Sequence, residues 1–178
     1  MTAPTAENLQ NEGLRLFQEG LYDEAIRRFN EALEHFAEEG REVEAGEMLN
    51  NIGIIRRKQN RWEEALAAIE EAHRIFVRLG DKTRQAQAAG NLGGIYASMG
   101  NREEAINIWR EAASLFDELG DRQNHGETLM SIGISLFKSG QRLEGYAAYQ
   151  AGLRLLGNPS FRQRLQRWLL ALQTRLLS

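Results

Sequence analysis

Three asparagines stand 40 residues apart in this chain, Asn11, Asn51 and Asn91, and Ser131 holds the fourth place. A primary amide both donates and accepts hydrogen bonds, so a row of them at fixed spacing can pair with the backbone of an extended peptide. The same amides can equally satisfy backbone groups buried between helices. Each is embedded in a patch of mixed character. Gln10, Leu14, Phe17 and Gln18 accompany the first; Asn50, Ile54, Arg57 and Lys58 the second; Gly90, Gly94, Ala97 and Ser98 the third; Met130, Ile134, Phe137 and Lys138 surround Ser131. Large apolar residues at both ends with a small-residue floor between them leave room for a partner helix or an apolar side chain. In a tightly curved array Leu14, Phe17, Ile134 and Phe137 pack inward instead. Arg56, Arg57 and Lys58 either meet a ligand carboxylate or form a solvated charge run.

Covalent and acid–base chemistry find little footing. There is no Cys, hence no disulfide, thiolate nucleophile or cysteine metal site. His35 aligns with Ile75, Leu115 and Leu155, a semi-buried stripe, while His73 and His125 occupy unrelated positions. No pair of His sits at i, i+4, and no phosphate-cradling Gly loop follows a strand. Glu63-Glu64 and Glu103-Glu104 fall in first turns of expected helices, where they favour the helix dipole. The expectation is a non-enzyme without cofactor or metal.

Stepping outward from these side chains, the elements that carry them repeat. Gly93 falls on Gly13, Gly53 and Gly133; Ala105 on Ala25, Ala65 and Gly145; Ala112 on Ala32, Ala72 and Gly152; Phe116 on Phe36, Phe76 and Leu156; Gly120 on Gly40 and Gly80. A fixed period held at several positions is the mark of a helical repeat array. The period resolves into helix pairs, expected at about 6–19 and 22–39, 42–59 and 62–79, 82–99 and 102–119, and 122–139 and 142–156. In the second helix of the third pair, Ala105, Ile106, Trp109, Ala112, Ala113 and Phe116 make one apolar stripe. Small residues at Gly93, Ala105 and Ala112 permit close helix contacts. The units are 6–40, 41–80, 81–120 and 121–157, after a frayed tail over 1–5. No unit buries its stripe alone, so stacking is compulsory and the ends need caps.

Residues 158–178 supply such a cap. Asn158-Pro159 is expected to start a helix. Phe161, Leu165, Trp168, Leu169, Leu172 and Leu176 then form its apolar stripe, with Arg162, Arg164, Arg167 and Arg175 elsewhere on it. From Gly145 onward there is no acidic residue. The five charges there are all Arg, so with a net charge of −3 the first 144 residues carry −8. Three readings stay open for this helix. It caps the fourth unit, it lies on a lipid surface with Trp168 and Leu172 inserted and Arg164 and Arg167 on anionic head groups, or it pairs with another copy of the chain. The modest net charge argues against a nucleic-acid partner. The N-terminus lacks the basic and apolar regions of a secretory signal, and no apolar run reaches the roughly 18 residues of a membrane span. A cytoplasmic location is expected.

Each unit resembles a tetratricopeptide repeat, whose pattern runs W-x2-L-G-x2-Y, A-x3-F-x2-A, then P. Unit three has Leu92-Gly93, Tyr96, Ala105, Trp109 and Ala112. Unit two has Leu49, Ile52-Gly53, Ala65, Ile69 and Ala72. Unit one has Leu9, Gly13, Leu16, Ala25, Phe29 and Ala32. Unit four, the most degenerate, has Leu129, Ile132-Gly133, Leu136, Gly145, Tyr149 and Gly152. The 40-residue period and the Gly-Asp or Gly-Arg in place of the closing Pro are similar to the longer repeats of kinesin light chain and Leu-Gly-Asn-type adaptors; Arg56 stands where the pattern has Tyr. The resemblance implies an all-α, right-handed solenoid of four hairpins plus a capping helix. It also implies a non-enzymatic adaptor whose concave groove holds a peptide or partner helix, with an Asn ladder in that groove. The alternative is an assembly factor acting through its basic last helix on itself or on a membrane.

Overall fold

The computed structural model describes residues 4–157 and 159–176 of the chain. Residues 1–3 of the expected tail and Asn158, expected to cap the last helix, lie outside the described residues. Nine helices and no strand occur among the described residues: α1 (Ala6–Gln18), α2 (Tyr22–Glu38), α3 (Glu42–Lys58), α4 (Trp62–Leu79), α5 (Lys82–Ser98), α6 (Arg102–Glu118), α7 (Arg122–Lys138), α8 (Arg142–Leu155) and α9 (Phe161–Leu176). This is the all-α repeat fold the sequence implies, with ends within a residue or so of those expected for α1 to α8.

The joints between pairs show how a Gly-Asp step replaces a proline. Gly120 adopts φ +70°, in the left-handed region that costs glycine least. The Asp121 N–H bonds back to the Phe116 carbonyl at 2.9 Å, closing the end of α6 as a Schellman turn. The Asp121 carboxylate then accepts the Asn124 N–H at 3.0 Å, capping α7. Asp81 does the same for α5, accepting from the Arg84 N–H at 3.0 Å. One residue pair thus ends a helix and begins the next.

The turn inside each pair obeys the same geometry with one change of residue. Gly20, Gly100 and Gly140 have positive φ, and in the second pair Asn60 takes the place at φ +60°. Asn is the side chain best suited to that conformation after glycine.

The chain divides after Arg84 into two compact units. In the first, α1 packs on α2, α2 on α3 and α3 on α4. Leu9 and Leu16 of α1, Phe29 and Phe36 of α2, and Met48 and Ile55 of α3 share one buried cluster. Each large side chain so buried contributes about 1.5–3 kcal/mol. In the second, α6 packs on α7, α7 on α8 and α8 on α9. Here Trp109 of α6 donates its indole N–H to the Gly90 carbonyl of α5 at 3.0 Å. Its ring occupies the space a Cβ on Gly93 would need, 2.5 Å from that position.

The fourth pair differs in kind. A Cβ built on Gly133 would lie 2.6 Å from the Tyr149 backbone nitrogen, and one on Gly145 would lie 2.6 Å from the Gly133 carbonyl oxygen. Gly126 and Gly152 oppose each other in the same way. The replacement of the repeat's alanines by Gly145 and Gly152, which reads as degeneracy in sequence, is therefore a backbone-to-backbone contact between α7 and α8.

Candidate functional site

The candidate groove residues lie on the first helix of each pair. In the first unit, Asn11 is exposed and Asn51 half-buried. Leu14 is 37% exposed. Phe17 is half-buried, packed against the core cluster and 6.1 Å from the Tyr22 ring. The Lys58 ammonium stands 5.7 Å from the centroid of that Phe17 ring. The structure therefore brings together Phe17 of α1 and Lys58 of α3, two side chains 41 positions apart in sequence. Asn50 and Arg57 are half-buried on α3. The Arg56 guanidinium lies 3.3 Å from Glu64 and donates to Gln59 at 3.2 Å.

In the second unit, Asn91 and Gly94 are half-buried on α5. A Cβ on Gly90 would meet nothing within 4 Å, so this stretch does offer open space. On α7 the Ser131 hydroxyl donates to the Glu127 carbonyl of its own helix at 3.0 Å. Met130 is only 8% exposed, inside a cluster with Tyr149, Leu153, Leu156 and Leu170. Ile134 and Phe137 are half-buried against that cluster, and Lys138 is exposed. On α7 the outward part of the candidate face is thus Ile134, Phe137 and Lys138, with Met130 held in the core.

Charge at the helix joints is structural. Arg41 donates to Glu44 at 2.8 Å and to Glu39 at 3.2 Å, pairs with Glu7, and lies 4.5 Å from the Phe36 ring centroid. The hydrogen bond from Arg41 holds the Glu7 and Glu44 carboxyls below their usual range. His35 is half-buried, as its stripe implies, and His125 Nδ1 is 3.3 Å from Asp117. No group of three His, Cys, Asp or Glu able to hold a metal occurs among the described residues.

The last helix starts later than expected, at Phe161. Its cap is Ser160, two residues after Asn158: the Ser160 hydroxyl accepts the Gln163 N–H at 3.3 Å, and Gln163 Oε1 accepts the Ser160 N–H at 2.6 Å. Ser160-x-x-Gln163 is a capping box, a signal present in the sequence. α9 lies on α8 through its more polar side. Leu170 enters the core cluster, and the fully buried Tyr149 of α8 donates its hydroxyl to the Gln163 carbonyl at 3.1 Å. Burial raises the Tyr149 hydroxyl above the usual tyrosine range. Phe161, Leu165, Trp168, Leu169 and Leu172 face outward, Trp168 with 58% of its surface exposed.

The tetratricopeptide repeat model matches residues 4–77 and 44–118, well over half of the chain. The chain belongs to the tetratricopeptide repeat family. Solved structures bear out the fold. BtubC (BKLC) from P. vanneervenii superposes with a TM-score of 0.78 at 22% identity, covering 87% of this chain and 67% of that one. The apo form of RapI gives a TM-score of 0.84 at 14% identity, over 92% of this chain and 46% of that one. Aspartyl phosphate phosphatase F from Bacillus subtilis gives 0.81 at 14% identity, over 84% and 39%. The chain thus spans less than half the length of two of these three proteins. No curated protein is significantly similar in sequence. Tetratricopeptide repeats are in general non-enzymatic scaffolds, and the family supports a protein-interaction role for this chain. No helix among the described residues is long and apolar enough to cross a membrane.

Proposed function

We propose that this tetratricopeptide repeat protein is an adaptor that holds a peptide or partner segment along the open faces of its first helices. The observation that carries the reading is the Lys58–Phe17 contact in the first unit. It sets a cation against an aromatic ring on the helix that also carries exposed Leu14 and Asn11. On α3, Asn51 lies two turns before Lys58, on the same side of the helix. An amide, a cation and an apolar side chain within one open face are the parts a peptide backbone, a carboxylate and an apolar anchor each require. In the second unit Asn91, Gly94, Ile134, Phe137 and Lys138 are the corresponding elements. The neighbours named as phosphatase or Rap proteins share the fold, and their activities are not carried over.

The test is a peptide selected from a random library, with its affinity read by fluorescence anisotropy. Changing Asn11, Asn51 and Asn91 together to Ala is expected to weaken binding at least about tenfold, through loss of hydrogen bonds worth roughly 1 kcal/mol each. Circular dichroism confirms that the variant is folded. Equal affinity in wild type and folded variant assigns the amides to structure and removes the ladder.

A further inference from the structure

Five apolar residues of the α9 stripe face solvent. Phe161, Leu165, Trp168 and Leu172 recur at steps of 4, 3 and 4, and each is 40% exposed or more. At about 100° per residue, Arg164 flanks this stripe on one side and Arg162 on the other. Between α8 and α9 opens a pocket of about 270 Å³ lined by Arg154, Arg164 and Arg167 together with Gln150, Leu153 and Pro159. No carboxylate side chain follows Glu144 in the sequence. A convex apolar stripe with cations on both flanks and an anion-sized basic pocket beside it are two separate features of one element.

We propose that α9 docks the protein on an anionic phospholipid surface. Trp168, Leu165, Leu169 and Leu172 enter the interfacial region, while Arg162 and Arg164 meet head-group phosphates and the pocket of Arg154, Arg164 and Arg167 receives one. The charge decides among occupants. Pairing of α9 with α9 from a second copy brings together two helices that carry only cations, so each charge meets like charge. The stripe also stands on the outer side of a helix laid over α8, so it meets a plane more readily than the groove a partner helix needs. At 16 residues, α9 lies on a bilayer and does not cross it.

The full chain is mixed with vesicles of phosphatidylglycerol and, separately, of phosphatidylcholine, and co-sedimentation is measured. Binding to phosphatidylglycerol alone is expected, with a blue shift of tryptophan emission that is lost in Trp168→Phe, which leaves Trp62 and Trp109 as they are. Each of Arg164→Gln and Arg167→Gln is expected to lower the partition coefficient about fivefold, and salt to weaken it further. These side chains are solvent-facing, and circular dichroism verifies the fold. No sedimentation with phosphatidylglycerol, or equal binding to both lipids, overturns the proposal. So does a chain dimer in analytical ultracentrifugation that Trp168→Ala dissociates and phosphatidylglycerol vesicles do not, since the stripe then belongs to a second copy. Retention by an acidic amphipathic peptide in preference to the vesicles overturns it in favour of a protein partner.

Discussion

The Tyr149 hydroxyl donates to the Gln163 carbonyl at 3.1 Å, tying the first turn of α9 to the middle of α8. Tyr149 is fully buried, so the bond forms out of water and its loss leaves the carbonyl side of α9 less well held. Tyr149→Phe is expected to lower stability by about 1 kcal/mol and to speed amide exchange selectively across α9. Unchanged exchange in α9 would show that Leu170 alone seats the helix.

The glycines divide by what surrounds them. Gly133→Ala and Gly145→Ala drive a methyl into the facing backbone, which has no rotamer with which to yield. Each is expected to cost about 2 kcal/mol or more by overpacking. Gly90→Ala meets open space within a helix interior and is expected to stabilise by roughly 0.5–1 kcal/mol. Urea midpoints of the three variants decide; a Gly133→Ala protein as stable as wild type contradicts the close approach of α7 and α8.

Asn60 sits at φ +60° where the equivalent turns carry glycine. Asn60→Gly is expected to leave the melting temperature equal or higher, and Asn60→Ala to cost about 1 kcal/mol for a left-handed alanine. Thermal unfolding of the pair checks the sign.

Acid should open the joints. The backbone N–H of Asn124, then its side chain, holds the Asp121 carboxyl below the ordinary aspartate value. A carboxyl with its pKa depressed in the folded state adds stability that is complete above about pH 4 and is lost as pH falls through the lower folded value. Asp121→Asn keeps a capping acceptor without a titrating group, so its stability should fall less steeply below pH 4 than that of wild type. Chemical denaturation across pH 2–5 (a range set by the usual carboxyl pKa of about 4) measures the two slopes; parallel slopes remove Asp121 from the acid response.

Most of the fold was legible because its determinants are local. Glycines at 40-residue spacing end helices through a backbone conformation that other residues resist, and apolar stripes at helical period mark the faces that stack. The Asp81 and Asp121 caps were within reach for the same reason, as was the Ser160-x-x-Gln163 box. The candidate site was less legible. Leu14 and Met130 are both apolar residues on first helices, yet Leu14 is 37% exposed and Met130 8%. That difference comes from what stands opposite each, and no single helix carries the information.

By itself, then, the sequence determined the helices, their joints and their pairing, since hydrogen bonding, capping and periodicity act over a few residues. Tertiary structure decided three things. It made Gly145 and Gly152 a contact surface, because only the facing backbone of α7 shows how near the helices come. It placed Lys58 over Phe17, a meeting of two helices. And it turned the apolar stripe of α9 outward. An amphipathic helix announces that one face is apolar but not which neighbour claims it. Here a buried tyrosine seeking an acceptor and one leucine, Leu170, hold the other face against α8.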